Sequence, residues 1–167
     1  MKKILFTLAL LVSFSSFGQK SDLDYIISGK KKALENDHYG AIIDFTKAIN
    51  INQRNFGLLY RSRSKVALKD YNGAILDLTL GIKQAPNEQL FYNDRGNIYS
   101  YDLGKYYDAI SDYTRAIELD PNHDTWYTNR GNSKEMLGDL NGACDDWKKA
   151  KQLGSTSASE YITNKCN

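Results

Sequence analysis

LFYNDRGNIYSYDLGKYYDAISDYTRAIELDPN, residues 90–122, is the stretch whose reading decides the fold of this chain. Its apolar positions recur at helical spacing in two runs, Leu90 to about Tyr101 and Lys105 to Leu119. Asp102-Leu103-Gly104 separates them, and Asp120-Pro121 stops the second. The stretch therefore reads as one helix-turn-helix hairpin. Gly96 and Ala109 are small enough to let the two backbones approach, while Tyr92, Tyr99, Tyr106 and Tyr113 fill the space around that contact.

The same pattern recurs outward in both directions. The alanine that opens the second helix stands at Ala41, Ala74, Ala109 and Ala143, with spacings of 33, 35 and 34 residues. Three further columns keep step with it. They are the small residue of the first helix (Gly29, Ser62, Gly96, Gly131), the second small residue of the second helix (Ala48, Gly81, Ala116, Ala150), and the large residue between (Phe45, Leu78, Tyr113, Trp147). The third unit carries one extra residue, which is expected in its inner turn, since Gly96 to Ala109 spans 13 positions where the others span 12.

On these columns the chain resembles the tetratricopeptide-repeat (TPR) family, whose unit of about 34 residues has this hairpin with small, aromatic and terminal proline slots. The resemblance covers Leu23 to about Leu153. Pro86 and Pro121 fill the proline slot, while Gln53 and Ser155 stand in it in the first and last units. What the resemblance implies is an all-α TPR solenoid, a right-handed superhelix of four repeats (about 22–54, 55–87, 88–122 and 123–154) closed by a C-terminal capping helix. Helices are expected over 22–35, 38–51, 56–68, 71–84, 90–101, 105–119, 125–136, 140–152 and 156–164. In the tail, Ser157 and Glu160 have capping-box spacing.

The first 18 residues read as a cleavable secretory signal: Lys2-Lys3, an apolar run from Ile4 to Val12, then Ser13 to Gly18 with the small Ser16 and Gly18 before the expected cut. The run is too short for the roughly 20 residues of a spanning helix. Export, to the periplasm or the medium, is the expectation, and no membrane span is expected in the mature chain. Lysine and arginine number 22 against 20 aspartate and glutamate, and Lys2 and Lys3 account for the excess. A formally neutral mature chain gives no electrostatic reason for a nucleic-acid partner. In an oxidising compartment Cys144 and Cys166 are expected to pair, the competing reading being a buried Cys144 and a free Cys166.

No arrangement of residues here points to catalysis, a metal or a cofactor. His38 and His123 are the only histidines, and they are far apart in sequence. Gly104-Lys105 lacks the hydroxyl residue and the upstream glycine of a phosphate loop. Two cysteines 22 apart do not have zinc spacing. The charged columns Asp44, Asp77, Asp112 and Asp146 and Arg61, Arg95 and Arg130 flank the close-packed slots. Internal ion pairs are expected there, and the sequence leaves open whether each arginine meets the acid of its own repeat or of the one before.

The resemblance places a binding surface on the concave wall of first helices. Ile26, Lys30, Leu59, Arg63, Asn93, Asn97, Asn129 and Asn132 are expected to face it. Asparagine can hydrogen-bond the backbone of an extended peptide. Asn97 and Asn129 match the two asparagines of the TPR clamp that grips C-terminal carboxylates, but the lysines and arginine that complete that clamp have no counterparts. A generic peptide groove lined by Arg63, Asn93, Asn97, Asn129 and Asn132 is the reading, against one in which these are only solvated helix surface. The expected function is that of a non-catalytic scaffold or adaptor holding a protein or extended peptide in the groove. The alternative is a structural or assembly subunit of a cell-envelope complex, docked through the convex face or the apolar N-terminal hairpin.

Overall fold

The computed structural model describes residues 20–52 and 55–166; the expected signal segment, 1–18, lies outside the described residues. Among them the chain forms nine α-helices and one π-turn. The first hairpin pairs α1 (Asp22–Leu34) with α2 (His38–Ile51), and the second pairs α3 (Asn55–Ala67) with α4 (Tyr71–Gln84). In the third, α5 (Gln89–Asn97) runs into the π-turn (Ile98–Asp102) and returns as α6 (Tyr106–Leu119). The fourth joins α7 (Asp124–Met136) to α8 (Leu140–Gln152), and α9 (Thr156–Lys165) closes the end. Each helix packs chiefly on its chain neighbours, which is the signature of a stack rather than of a globule with one centre.

Three of the inner turns are built alike. Asn36, Lys69 and Gly138 take φ of 61°, 61° and 81°, reversing the chain at the helix end. The next residue is an aspartate each time, and Asp37, Asp70 and Asp139 accept a hydrogen bond at 2.9 Å from the backbone N–H of Gly40, Gly73 and Gly142. That bond satisfies one of the donors that a new helix leaves unpaired. One aspartate thus ends the turn and starts the second helix.

The third hairpin differs, and not where the sequence placed the difference. Its extra residue is absorbed inside the first helix, as the π-turn, rather than in the inner turn. Leu103 N–H reaches back to the Ile98 carbonyl at 3.1 Å, and Lys105 N–H to the Tyr99 carbonyl at 2.7 Å. A wider helical ring takes up one residue without breaking the backbone hydrogen-bond ladder, whereas a longer loop would leave more backbone in water. Here Lys105 stands at the cap and makes no side-chain capping bond.

Packing follows the repeat columns. Ala41, Ala74, Ala109 and Ala143 are fully buried, as are the large residues Leu78, Tyr113 and Trp147. The small slots are there for contact. A Cβ on Gly96 would lie 2.8 Å from the Tyr113 ring, and one on Gly81 only 2.3 Å from the ring of Phe91 in the next hairpin. Gly81 is glycine where the other hairpins have alanine because Phe91 enters that space.

The tail corrects a second expectation. Ser155, not Ser157, is the residue before α9, and its hydroxyl lies 3.3 Å from that of Thr128 and 3.2 Å from that of Ser157. Ser157 falls inside the first turn, so it and Glu160 make no capping box. Ala158 is fully buried against the last hairpin, and Tyr161 lies with its ring centroid 5.2 Å from that of Trp147. Cys144 of α8 and Cys166 are joined by a disulfide with Cα atoms 5.7 Å apart. The opposite end is closed by polar chemistry: Ser21 and Asp24 form a reciprocal capping box on α1.

Candidate functional site

The charged columns form a ladder through the interior. Arg61, Arg95 and Arg130 each make a two-pronged contact with the aspartate of their own hairpin, Asp77, Asp112 and Asp146, at 2.7–2.9 Å. The third guanidinium nitrogen donates backward to a threonine of the preceding hairpin: Thr46 at 3.0 Å, Thr79 at 3.0 Å and Thr114 at 3.1 Å. One planar side chain therefore closes its own hairpin and ties it to the one before, a geometry that lysine cannot offer. The threonines follow the large-residue column by one position, a signal present in the sequence but not drawn from it.

A lysine completes three of the four sites. Lys32, Lys65 and Lys134 lie 2.7–2.8 Å from Asp44, Asp77 and Asp146. Tyr99 occupies that column in the third hairpin, leaving Asp112 with Arg95 as its cation. In keeping with this, burial pushes the Asp112 carboxyl above the usual carboxylate range, and Arg95 offsets only part of it. Asp44, with Ser28 where the other hairpins have arginine, goes the other way. Burial opposes its charge, but Lys32 and Ser28 together hold it below the usual range.

The asparagines of the first-helix wall are brought together and bonded to one another. The Asn129 amide donates to Asn93 Oδ1 at 3.2 Å and to Asn97 Oδ1 at 3.1 Å. Tyr113 O–H donates to Asn97 Oδ1 at 2.8 Å, and Tyr101 O–H to Asn129 Oδ1 at 3.1 Å. Asn93 is buried, and Asn132 Oδ1 accepts from the Trp147 indole at 2.9 Å. Arg63 reaches across to Asp94 of the next hairpin at 2.6 Å. Leu59 is buried in the core and Ile26 is half-buried. The Asn132 amide also donates to the Tyr101 hydroxyl, so what stays free at this end is the Asn97 amide edge, far less donor capacity than the residue types alone offer.

The N-terminal half is different in kind. Nine of the thirteen large hydrophobic residues left exposed among the described residues lie between Leu23 and Leu80. On the first helices they include Ile27, 59% exposed, and Leu34, 85%; on the second helices they include Tyr39 and Leu76, 73% and 70%. Leu23 and Ile27 are therefore not consumed by packing on the next hairpin. Two pockets open on the first-helix wall. One of about 250 Å³, between the first and second hairpins, is lined by Ala33, Leu34, His38, Phe45 and Tyr60 with Lys30 and Arg63. The other, about 230 Å³, lies beyond Arg63 and is lined by Val66, Asp94, Asn97, Ile98 and Asp102 among others.

Residues 100–138 match the family model described as TPR repeat. A crystal structure of MamA superimposes with a TM-score of 0.74 at 19% identity, over 83% of this chain and 81% of that one. The fold is that of a TPR solenoid. A thermophilic TPR protein of Thermus thermophilus gives a TM-score of 0.70 at 19% identity, over 86% of this chain and 82% of the other. The first TPR of Spaghetti, bound to the HSP90 peptide SRMEEVD, gives 0.64 at 22% identity, over 68% and 91%. No curated protein matches the sequence. Among the described residues there is no cluster of acidic, histidine or cysteine side chains able to hold a metal ion, and no helix long and apolar enough to cross a membrane.

Proposed function

We propose that this TPR solenoid is a non-catalytic docking subunit of a larger protein assembly, exported to the cell envelope and held there through its two N-terminal hairpins. The observation that carries this reading is the uneven distribution of exposed apolar side chains between Leu23 and Leu80. Water-exposed Ile27, Leu34, Tyr39 and Leu76 cost solvation in the free protein, and burial against a partner recovers it. The C-terminal half, by contrast, is closed on itself by α9, the disulfide and the asparagine network. Export rests on residues 1–18, read as a signal.

A photo-cross-linking residue placed at Ile27, Tyr39 or Leu76 should capture one stoichiometric partner in cells, and Leu34→Lys with Leu76→Lys should release it on gentle extraction. Capture only from positions 97 and 129 would move the contact to the asparagine wall and defeat this reading. That second reading, a peptide held along the first helices, draws support from the peptide bound to the Spaghetti domain and from Asn97 and Asn129 lying side by side here.

A further inference from the structure

The pocket between the first two hairpins has a floor and a rim of opposite character. Its floor is apolar: Ala33 of α1, the ring of Phe45 from α2, and Tyr60 of α3, with the exposed Leu34 at its edge. Its rim is cationic. Lys30 Nζ sits 4.9 Å from the Tyr60 ring centroid and the Arg63 guanidinium 5.9 Å from it, so both charges border one aromatic ring. Arg63 is already partnered by Asp94 through one nitrogen, whereas among the described residues no carboxylate lies within ion-pair distance of Lys30. His38, also on the lining, keeps a buried Nδ1 with no hydrogen-bond partner among the described residues. The site thus has one unmatched positive charge at its mouth and room for one large apolar side chain.

We infer that this pocket, Lys30 and Arg63 over Phe45 and Tyr60, receives a leucine- or phenylalanine-sized side chain of an extended partner segment whose neighbouring residue carries a carboxylate. The inference rests on the docking role proposed above and names the chemistry of its anchor. The volume of about 250 Å³ fits one such side chain and excludes a helix laid in whole. An apolar side chain supplies the burial; the adjacent carboxylate meets Lys30 and the free nitrogens of Arg63, which selects the partner and speeds the encounter more than it adds affinity. Beyond Arg63 the wall turns acidic at Asp94 and Asp102, so the anchor's polarity also fixes which way the segment runs.

Amide NMR of the full-length chain, titrated with acetyl-Asp-Phe-Asp-amide, acetyl-Asn-Phe-Asn-amide and acetyl-Asp-Gly-Asp-amide, tests it. The first peptide should shift signals of residues 30–34 and 60–64 and bind roughly tenfold more tightly than either of the others. Its advantage over the asparagine peptide should vanish in Lys30→Glu, an exposed position, and its advantage over the glycine peptide should vanish in Ala33→Leu, which narrows the floor. Equal binding of all three, shifts confined to the third and fourth hairpins, or no binding overturns the inference; so does broadening of the same signals by phosphatidylserine vesicles without peptide. Failure here with a partner still captured at Tyr39 and Leu76 would remove the pocket and leave the docking role. Peptide binding without any captured partner would do the reverse.

Discussion

At the scale of single residues, the charged sites look equivalent and are not. Asp77 and Asp146 keep a lysine when their arginine is removed; Asp112 keeps nothing, because Tyr99 stands in that column. Arg95→Ala should therefore cost about 3 kcal/mol, the cost of stranding a buried carboxylate, and Arg61→Ala and Arg130→Ala clearly less. Denaturant midpoints of the three variants check the order, and equal losses would show that the lysines contribute nothing. Titration separates Asp44 from Asp112. The Asp44 carboxyl lies below the ordinary aspartate value of 3.8, so its contribution to stability is complete above that pH and is lost as pH falls through the lower, folded value. The Asp112 carboxyl is raised, so its contribution is complete below 3.8 and fades as pH rises through its folded value. Asp44→Asn should flatten the decline of stability below about pH 4, and Asp112→Asn should not.

The four columns of small and large residues made the helices readable in the sequence, and the observed ends fall within a residue or two of those expected, except that α5 stops at Asn97 and the π-turn carries the chain on to Asp102. What periodicity does not encode is how a helix absorbs an odd residue. The count from Gly96 to Ala109 revealed an insertion, but a π-turn and a longer loop have the same length in sequence. Nor does a column of asparagines reveal its partners. Asn93 and Asn97 belong to the third hairpin and Asn129 to the fourth, and only the stacking shows that their amides face one another. At this scale two substitutions should act in opposite directions. Lys69, held at φ 61°, is strained as glycine would not be, so Lys69→Gly should stabilise by about 1 kcal/mol, read as a raised thermal midpoint. Replacing Cys144 and Cys166 by serine should cost about 3 kcal/mol and loosen α9 first, seen as faster amide exchange over Thr156–Lys165.

Across the whole molecule, stability should be graded rather than uniform. Interior hairpins are held on both sides, the fourth is closed by α9 and the disulfide, and α1 is closed only by its capping box. Native-state exchange should therefore be fastest in α1, and slowest in α4 to α6; protection equal from end to end would mean that the stack unfolds as one unit. The half with the least internal support is also the half with the exposed apolar surface, which is where a partner would add most to its stability.

The backward-reaching guanidinium gives the stack an address at each end. Among the described residues no hairpin precedes the first, which has Ser28 in the arginine column, and the fourth, followed by the single helix α9, has Lys148 in the threonine column. Every interior unit carries both halves of the joint, like a link with hook and eye. Such a protein can be lengthened in evolution by copying about 34 residues from its middle, and the copy arrives already fitted to its neighbours.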